Sequence, residues 1–192
     1  MYKEMADILK EGSIGNFNLT KFAITDKDVV AKMRQGISNG TYMMLRNGDE
    51  TLMSDTDMEK RTNRSFVRNA HGDVLIGGLG IGMIVVAIQD KPEVKSITVL
   101  EKSPEIIELV GKQLPVNEKV TIIEADVYKW KPEQKFNCIY MDIWPYINSD
   151  VYKYEMVPLT RKYGHYLVTK EEDPNRINDC WCKREAKNNT RI

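Results

Sequence analysis

The chain has 192 residues, of which 28 are lysine or arginine and 28 are aspartate or glutamate, so its formal net charge is zero. A chain of this length suits one domain with a substantial hydrophobic core. The balanced charge argues against a protein that holds a phosphate backbone by bulk electrostatics, and we expect no nucleic-acid partner.

The sequence carries no signal for secretion, membrane insertion or metal binding. The first residues, Met1 to Glu4, are too polar for a leader peptide, and the longest apolar run, Gly77 to Ile88, is shorter than a bilayer crossing requires. The cysteines number three, and an odd number fits no disulfide framework. Cys180-x-Cys182 alone offers too few ligands for a closed zinc site. We therefore predict a cytoplasmic protein with no metal site and no membrane partner.

We predict that residues 1–70 form a small β-rich N-terminal extension. This part of the chain is polar and carries turn signals at Asn16, Asn39-Gly40 and Asn47-Gly48. Between these turns, Thr41–Leu45 and Glu50–Met53 alternate apolar and polar residues, which is typical of strands.

Residues 71–192 predict a Rossmann-like α/β domain, because strand-like and helix-like segments alternate along a mostly parallel sheet. The predicted strands are Val74–Ile76, Ser96–Leu100, Val120–Glu124, Phe136–Met141 and His165–Thr169. We expect Pro158 to interrupt a helix that begins at Ser149 or Asp150. The short remainder after Thr169 looks helical or irregular, which predicts a sheet shortened at its C-terminal end.

The first two predicted strands end in residues suited to binding a nucleoside. The first runs into Gly78-x-Gly80-x-Gly82, and such glycines let the backbone approach a ligand at the start of a helix. A dinucleotide fingerprint would need its next glycine at the position of Met83. The second strand ends on Glu101, whose two oxygens are expected to be free for the vicinal hydroxyls of a ribose.

Four segments resemble the successive motifs of class I S-adenosylmethionine-dependent methyltransferases, of which the spermidine-synthase-like branch is nearest: Asp73–Gly82, Val99–Ile107, Thr121–Tyr128 and Phe136–Pro145. The resemblance covers residues 45 to 170 and includes an upstream pattern of Gly48, Leu52, Asp55 and Glu59.

The resemblance implies S-adenosylmethionine as the cofactor. Gly78, Gly80 and Gly82 would surround its methionine part, and Glu101 would bind its ribose. Asp126, which follows the third predicted strand, stands where relatives place an acid beside the exocyclic amine of adenine.

The fourth predicted strand brings Asp142 to the same edge of the sheet, beside the expected transfer point. We predict Asp142 as the catalytic residue, which orients the acceptor or takes its proton. A bond to the backbone at the strand end is the competing role. Trp144 and Tyr146 are candidates for an aromatic wall, and Asp55 or Glu59 for a carboxylate on the substrate side.

Two residues limit the analogy with relatives. Pro145 stands where spermidine synthases carry a second aspartate, and Ile143 stands where amino-methyltransferases of nucleic acids carry a polar residue. The favoured hypothesis is therefore a transferase that methylates a small-molecule substrate. The alternatives are a polyamine aminopropyltransferase and a non-catalytic nucleoside-binding or assembly protein of the same fold. The edge of the last strand leaves room for a homo-oligomer.

Overall fold

The computed structural model describes residues 2–192. Its strands are β1 (Gly12–Ile14), β2 (Phe17–Ile24), β3 (Gly40–Asn47), β4 (Glu50–Ser54), β5 (Gly72–Gly77), β6 (Val94–Glu101), β7 (Val120–Glu124), β8 (Cys138–Met141) and β9 (Ile177–Cys180). Its α-helices are α1 (Met5–Ile8), α2 (Val29–Gln35), α3 (Asp57–Asn69), α4 (Met83–Ile88), α5 (Pro104–Leu109), α6 (Ser149–Val151), α7 (Val157–Gly164) and α8 (Lys183–Asn188). A π-helical turn over Tyr152–Met156 joins α6 to α7.

The N-terminal part contains an antiparallel sheet in the order β1-β2-β3-β4. The longest pairing runs between β2 and β3, from Phe17 opposite Asn47 to Ile24 opposite Gly40. Gly48 has a positive φ of 56°, which glycine adopts readily and which suits the short turn between β3 and β4. The β-rich character predicted for this region is confirmed.

The second sheet is parallel throughout and has the strand order β7-β6-β5-β8-β9. The chain builds outward from β5 through β6 to β7 and then restarts on the other side of β5 with β8. This arrangement is the doubly wound, Rossmann-like fold, and the predicted fold class is confirmed. In such sheets ligands bind beyond the carboxyl ends of the strands where the order reverses, which here is between β5 and β8.

The core lies on both faces of the parallel sheet, because successive side chains of a strand point to opposite faces. Val74 and Ile76 on β5 pack into a cluster that also contains Leu19 and Leu45 of the N-terminal sheet. Leu75, between them in sequence, packs on the other face. Residues 70 and 71 lie between α3 and β5, and the domain boundary that the sequence predicts between them stays a prediction.

The prediction of a strand at His165–Thr169 is wrong. Leu167 makes only an isolated parallel bridge to Phe136, and the fifth strand is β9. The apolar residues of the wrong segment pack at the end of α7 instead, where Tyr166 lies against Tyr163. The sequence of β9, Ile-Asn-Asp-Cys, hides the strand because an edge strand has only one neighbour and keeps polar side chains.

Candidate functional site

A cavity of about 310 Å³ lies at the carboxyl ends of the parallel strands. Residues that follow β5, β6, β7 and β8 line it, together with side chains from β3, β4 and α3. Five of the six predicted site residues line this cavity: Gly78, Gly80, Glu101, Asp126 and Asp142. Its volume is within the range of small-molecule sites, and its place is the one where doubly wound sheets bind ligands.

In the glycine turn after β5, a side chain at Gly78 or Gly80 would overlap neighbouring atoms. Gly78 and Gly80 both have positive φ angles, of 94° and 54°. A Cβ at Gly78 would overlap the carbonyl oxygen of Asp142, and a Cβ at Gly80 would overlap the sulfur of Met53. The bare backbone of this turn therefore forms part of the cavity wall.

Gly82 is placed differently from the other two glycines. It precedes α4 with a φ of 75°, and a Cβ there would overlap the side chain of Leu114. Gly82 is not among the residues that line the cavity in the described part of the chain. Close packing against Leu114 explains this glycine without a ligand.

Glu101 is buried at the end of β6 and holds the glycine turn. Its Oε2 accepts the backbone N–H of Leu79 at 2.9 Å, and its Oε1 accepts the backbone N–H of Ser103 at 2.8 Å. The prediction that both oxygens are free is therefore wrong, because each already accepts one hydrogen bond. A carboxylate offers about four lone-pair sites, so each oxygen retains capacity for a ligand donor. The carboxylate is thus held in place where it lines the cavity.

Asp126 follows β7 on the neighbouring wall of the cavity. Its Oδ1 accepts the backbone N–H of Tyr128 at 2.9 Å. Its Oδ2 lies 3.9 Å from Nζ of Lys102, an exposed side chain whose attraction solvent weakens. The acid therefore fixes the start of its loop and keeps acceptor capacity toward the cavity.

Asp142 follows β8, and its carboxylate shares the cavity with that of Glu59 on α3. Across residues 2–192, no hydrogen bond to either carboxylate and no ion pair within 4.0 Å of either is found. Burial raises the pKa of both groups, and the charge of Asp142 raises the pKa of Glu59 further. Glu59 is buried and Asp142 is half-buried, and two interacting acids in such a place favour a state in which one proton is retained between them.

The two upstream acids, Asp55 and Glu59, have different surroundings. Asp55 is fully buried, and its oxygens accept the backbone N–H groups of Met43 at 2.7 Å and Met5 at 3.0 Å. It thereby ties α1 to β3 and is not among the residues lining the cavity. Glu59 is the acid of that pattern that faces the cavity.

The aromatic wall contains one predicted residue and two that sequence reasoning missed. Trp144 lines the cavity, whereas Tyr146 is 60% exposed and is absent from its lining. Tyr128 and Trp181 also line it. Trp181 follows β9, the strand hidden by its polar sequence, so no pattern connected it with the site.

Two further features of the described residues bear on the kind of site. No cluster of three or more His, Cys, Asp or Glu side chains that could hold a metal ion occurs in this part of the chain. None of the helices described has the length and apolar character needed to cross a bilayer.

No protein-family model and no curated protein matches the sequence. Several solved structures are similar in part. DhpI, solved with S-adenosylhomocysteine, is 18% identical over 58% of this chain and 52% of its own, with a TM-score of 0.45. The N-methyltransferase NodS from Bradyrhizobium japonicum WM9 is 16% identical over 59% of each chain, with a TM-score of 0.46. DesVI from Streptomyces venezuelae is 15% identical over 56% of this chain and 46% of its own, with a TM-score of 0.42. The chain spans about half the length of the solved structures it matches.

Proposed function

We propose that this chain is an S-adenosylmethionine-dependent methyltransferase that acts on a small molecule. The observation that carries the proposal is the cavity beyond the carboxyl ends of β5, β6, β7 and β8, where a bare glycine turn and three strand-end acids meet. Doubly wound folds bind nucleotide-like ligands at this place.

The residues around the cavity fit the parts of such a ligand. Gly78 and Gly80 line the cavity with backbone that carries no side chain, which suits close approach of the methionine part. Glu101 presents an anchored carboxylate to the paired hydroxyls of a ribose. Asp126, on the next strand end, suits the exocyclic amine of adenine. In this proposal Gly82 does not contact the ligand, and its role is to let the start of α4 pack closely against Leu114.

S-adenosylmethionine, when bound, supplies a methyl group already activated by its sulfonium. The chain's own residues then have two tasks, which are to position the acceptor in line and to take its proton. Asp142 and Glu59 suit the second task, because their raised pKa values bring a carboxylate base closer to neutral pH. The proton lost by the acceptor passes to the carboxylate pair.

Isothermal titration calorimetry with S-adenosylmethionine, S-adenosylhomocysteine and decarboxylated S-adenosylmethionine tests the proposal. We expect the wild type to bind the first two. We expect Glu101→Gln to weaken both by about 10- to 100-fold, the range for a lost hydrogen bond to a charged group. Glu118→Gln is the matched control, since Glu118 is an exposed acid at the opposite edge of the sheet.

The outcomes separate the proposed methyltransferase from its alternatives. Preference for the decarboxylated ligand, with conversion of putrescine, would favour an aminopropyltransferase. Absence of binding to all three ligands by a folded wild type would overturn the proposal. Equal binding by wild type and Glu101→Gln would remove Glu101 from the site.

A further inference from the structure

The helix that follows β8 changes its hydrogen-bond register beside the cavity. It begins after Asn148, whose side chain accepts the backbone N–H groups of Asp150 at 3.0 Å and Val151 at 2.8 Å. It then forms the π-helical turn over Tyr152–Met156 and returns to α geometry in α7. Such turns are rare and occur often at functional sites.

The sequence supplies a physical reason for this turn. Pro158 has no N–H and cannot donate to the carbonyl of Tyr154, its partner in a regular α-helix. In the π turn the backbone N–H of Val157 bonds to the carbonyl of Tyr152, one residue further than in an α-helix, and α7 continues past the proline to Gly164. The longer turn also rotates the side chains within it relative to an uninterrupted α-helix. Glu155 is one of the residues in the turn.

The carboxylate of Glu155 joins two aromatic side chains of the cavity wall. Its Oε2 accepts Nε1–H of Trp144 at 2.8 Å and the hydroxyl of Tyr128 at 2.8 Å. Trp144 belongs to the loop after β8, and Tyr128 belongs to the loop after β7. A single oxygen on the helix therefore connects the loops after two strands, and all three residues line the cavity.

The protonation state of Tyr128 and the burial of Trp144 both favour their hydrogen bonds to Glu155. Burial and the hydrogen bond to Glu155 both raise the pKa of Tyr128, so its hydroxyl remains a donor. Trp144 is only 7% exposed, whereas Tyr128 is 46% exposed and depends on its hydroxyl for a fixed position. The backbone of Tyr128 is also bonded to Asp126, so the acid and the aromatic ring are held as one unit.

We propose that Glu155 is a positioning residue of the ligand site, and that the π-helical turn exists to bring its carboxylate between Tyr128 and Trp144. This inference rests on the proposed function, because it assigns to the two rings the task of confining the planar base of an adenosyl ligand. Glu155 acts through the two rings, and its loss leaves Tyr128 free to rotate into solvent.

Calorimetry with S-adenosylhomocysteine measures this role without any acceptor. We expect Glu155→Ala to weaken binding about tenfold or more, since displaced walls no longer match the ligand. Glu155→Gln keeps an oxygen acceptor and should lose only a few-fold, whereas Tyr128→Phe should resemble Glu155→Ala. Glu133→Ala, which changes an exposed acid with no hydrogen-bond partner among the described residues, should bind as the wild type does.

Nuclear magnetic resonance of the indole N–H groups gives a second readout that does not depend on ligand binding. The chain has three tryptophans, and Trp144→Phe identifies the signal of Trp144. Glu155→Ala should shift that signal strongly and leave the other two near their original positions. A merely structural loss would move all three signals and reduce the circular dichroism of the fold.

The results that would overturn the inference differ from those that would overturn the proposed function. A wild type that binds no adenosyl ligand ends both. If the wild type binds and Glu155→Ala binds equally well, only the role of Glu155 is refuted. Should Glu155→Ala fail to fold, Glu155→Gln and Tyr128→Phe decide the matter by the same two readouts.

Discussion

Two clusters of polar side chains lie at opposite edges of the parallel sheet, one built on the single acid Asp173 and the other holding the acids Glu59 and Asp142. At the amino edge, Oδ2 of Asp173 accepts His71 Nε2 and Asn137 Nδ2, both at 2.8 Å, and Oδ1 accepts the backbone N–H of Asn175 at 2.9 Å. At the carboxyl edge, Glu59 and Asp142 share the cavity with no such partners among the residues described.

The pKa directions of the two clusters follow from this difference. Burial alone would raise the pKa of Asp173, but the bonds from Asn137 and His71 outweigh it and lower that pKa. Burial acts without such compensation on Glu59 and Asp142, and their pKa values rise. A buried acid whose oxygens accept hydrogen bonds from the protein has a structural role. An acid in a cavity that lacks such donors is a candidate for function.

A side chain added at the glycine turn of the carboxyl edge should destabilise the fold most. Gly78→Ala should lower the free energy of unfolding by about 2–5 kcal/mol, because backbone strain adds to overlap with the Asp142 carbonyl. Gly15→Ala is the matched control, since Gly15 has a φ of 57° and no atom within 4 Å of its added Cβ. It should lose only about 1–2 kcal/mol. Urea unfolding of both variants measures the difference, and equal losses would contradict the tight turn.

The next effect concerns the satisfied cluster. Asp173→Ala leaves the donors of His71 and Asn137 without their acceptor, and we expect a loss of about 2–4 kcal/mol in urea unfolding at pH 7. Glu171→Ala changes an exposed acid in the same loop and should stay within about 0.5 kcal/mol of the wild type. A loss of that small size for Asp173→Ala would show that the amino-edge cluster is not structural.

Replacing an acid of the carboxyl-edge cluster should raise the free energy of unfolding, whereas replacing Asp173 should lower it. Folded Glu59 retains a proton that the unfolded chain releases above about pH 4.3, so the wild type loses stability as pH rises toward the raised pKa. Glu59→Gln removes this penalty and should be more stable by about 1–3 kcal/mol at pH 8, with no gain below about pH 4. Thermal unfolding across this pH range measures the gain. Lower stability of Glu59→Gln at pH 8 would mean that Glu59 is a satisfied acid.

The smallest effect is the pH dependence of His71. Burial lowers its pKa, but the Asn69 carbonyl and the Asp173 carboxylate outweigh burial, and the pKa is raised. Its stabilising contribution is therefore complete below about pH 6.5 and is lost as pH rises through the raised value. The stability gap between wild type and His71→Gln should shrink by about 1 kcal/mol between pH 6 and pH 9. A gap that widens with pH would refute the charged pair.

Local pattern predicted most of the fold and part of the site. The strands β3, β4, β6 and β7 were recognised because their apolar residues alternate or run together between turn signals. The strand β9 was missed because its residues are polar, and its pairing with β8 depends on contacts distant in sequence. Glu59 was one of two candidates for a carboxylate on the substrate side, whereas Glu155 carried no signal in the sequence, and only folding brings it to the cavity.

Four of the five parallel strands, β5 to β8, and the glycines and acids at their carboxyl ends were predictable from the sequence, since apolar runs, glycine spacing and strand-ending acids are local features. Which acids have hydrogen-bond partners depends on contacts that form only in the folded chain. Asp55 and Glu59 were equal candidates in the sequence, yet Asp55 accepts hydrogen bonds from Met5 and Met43 whereas Glu59 lines the cavity. The reason is physical, because the pKa and the role of a buried carboxyl are set by its neighbours in space.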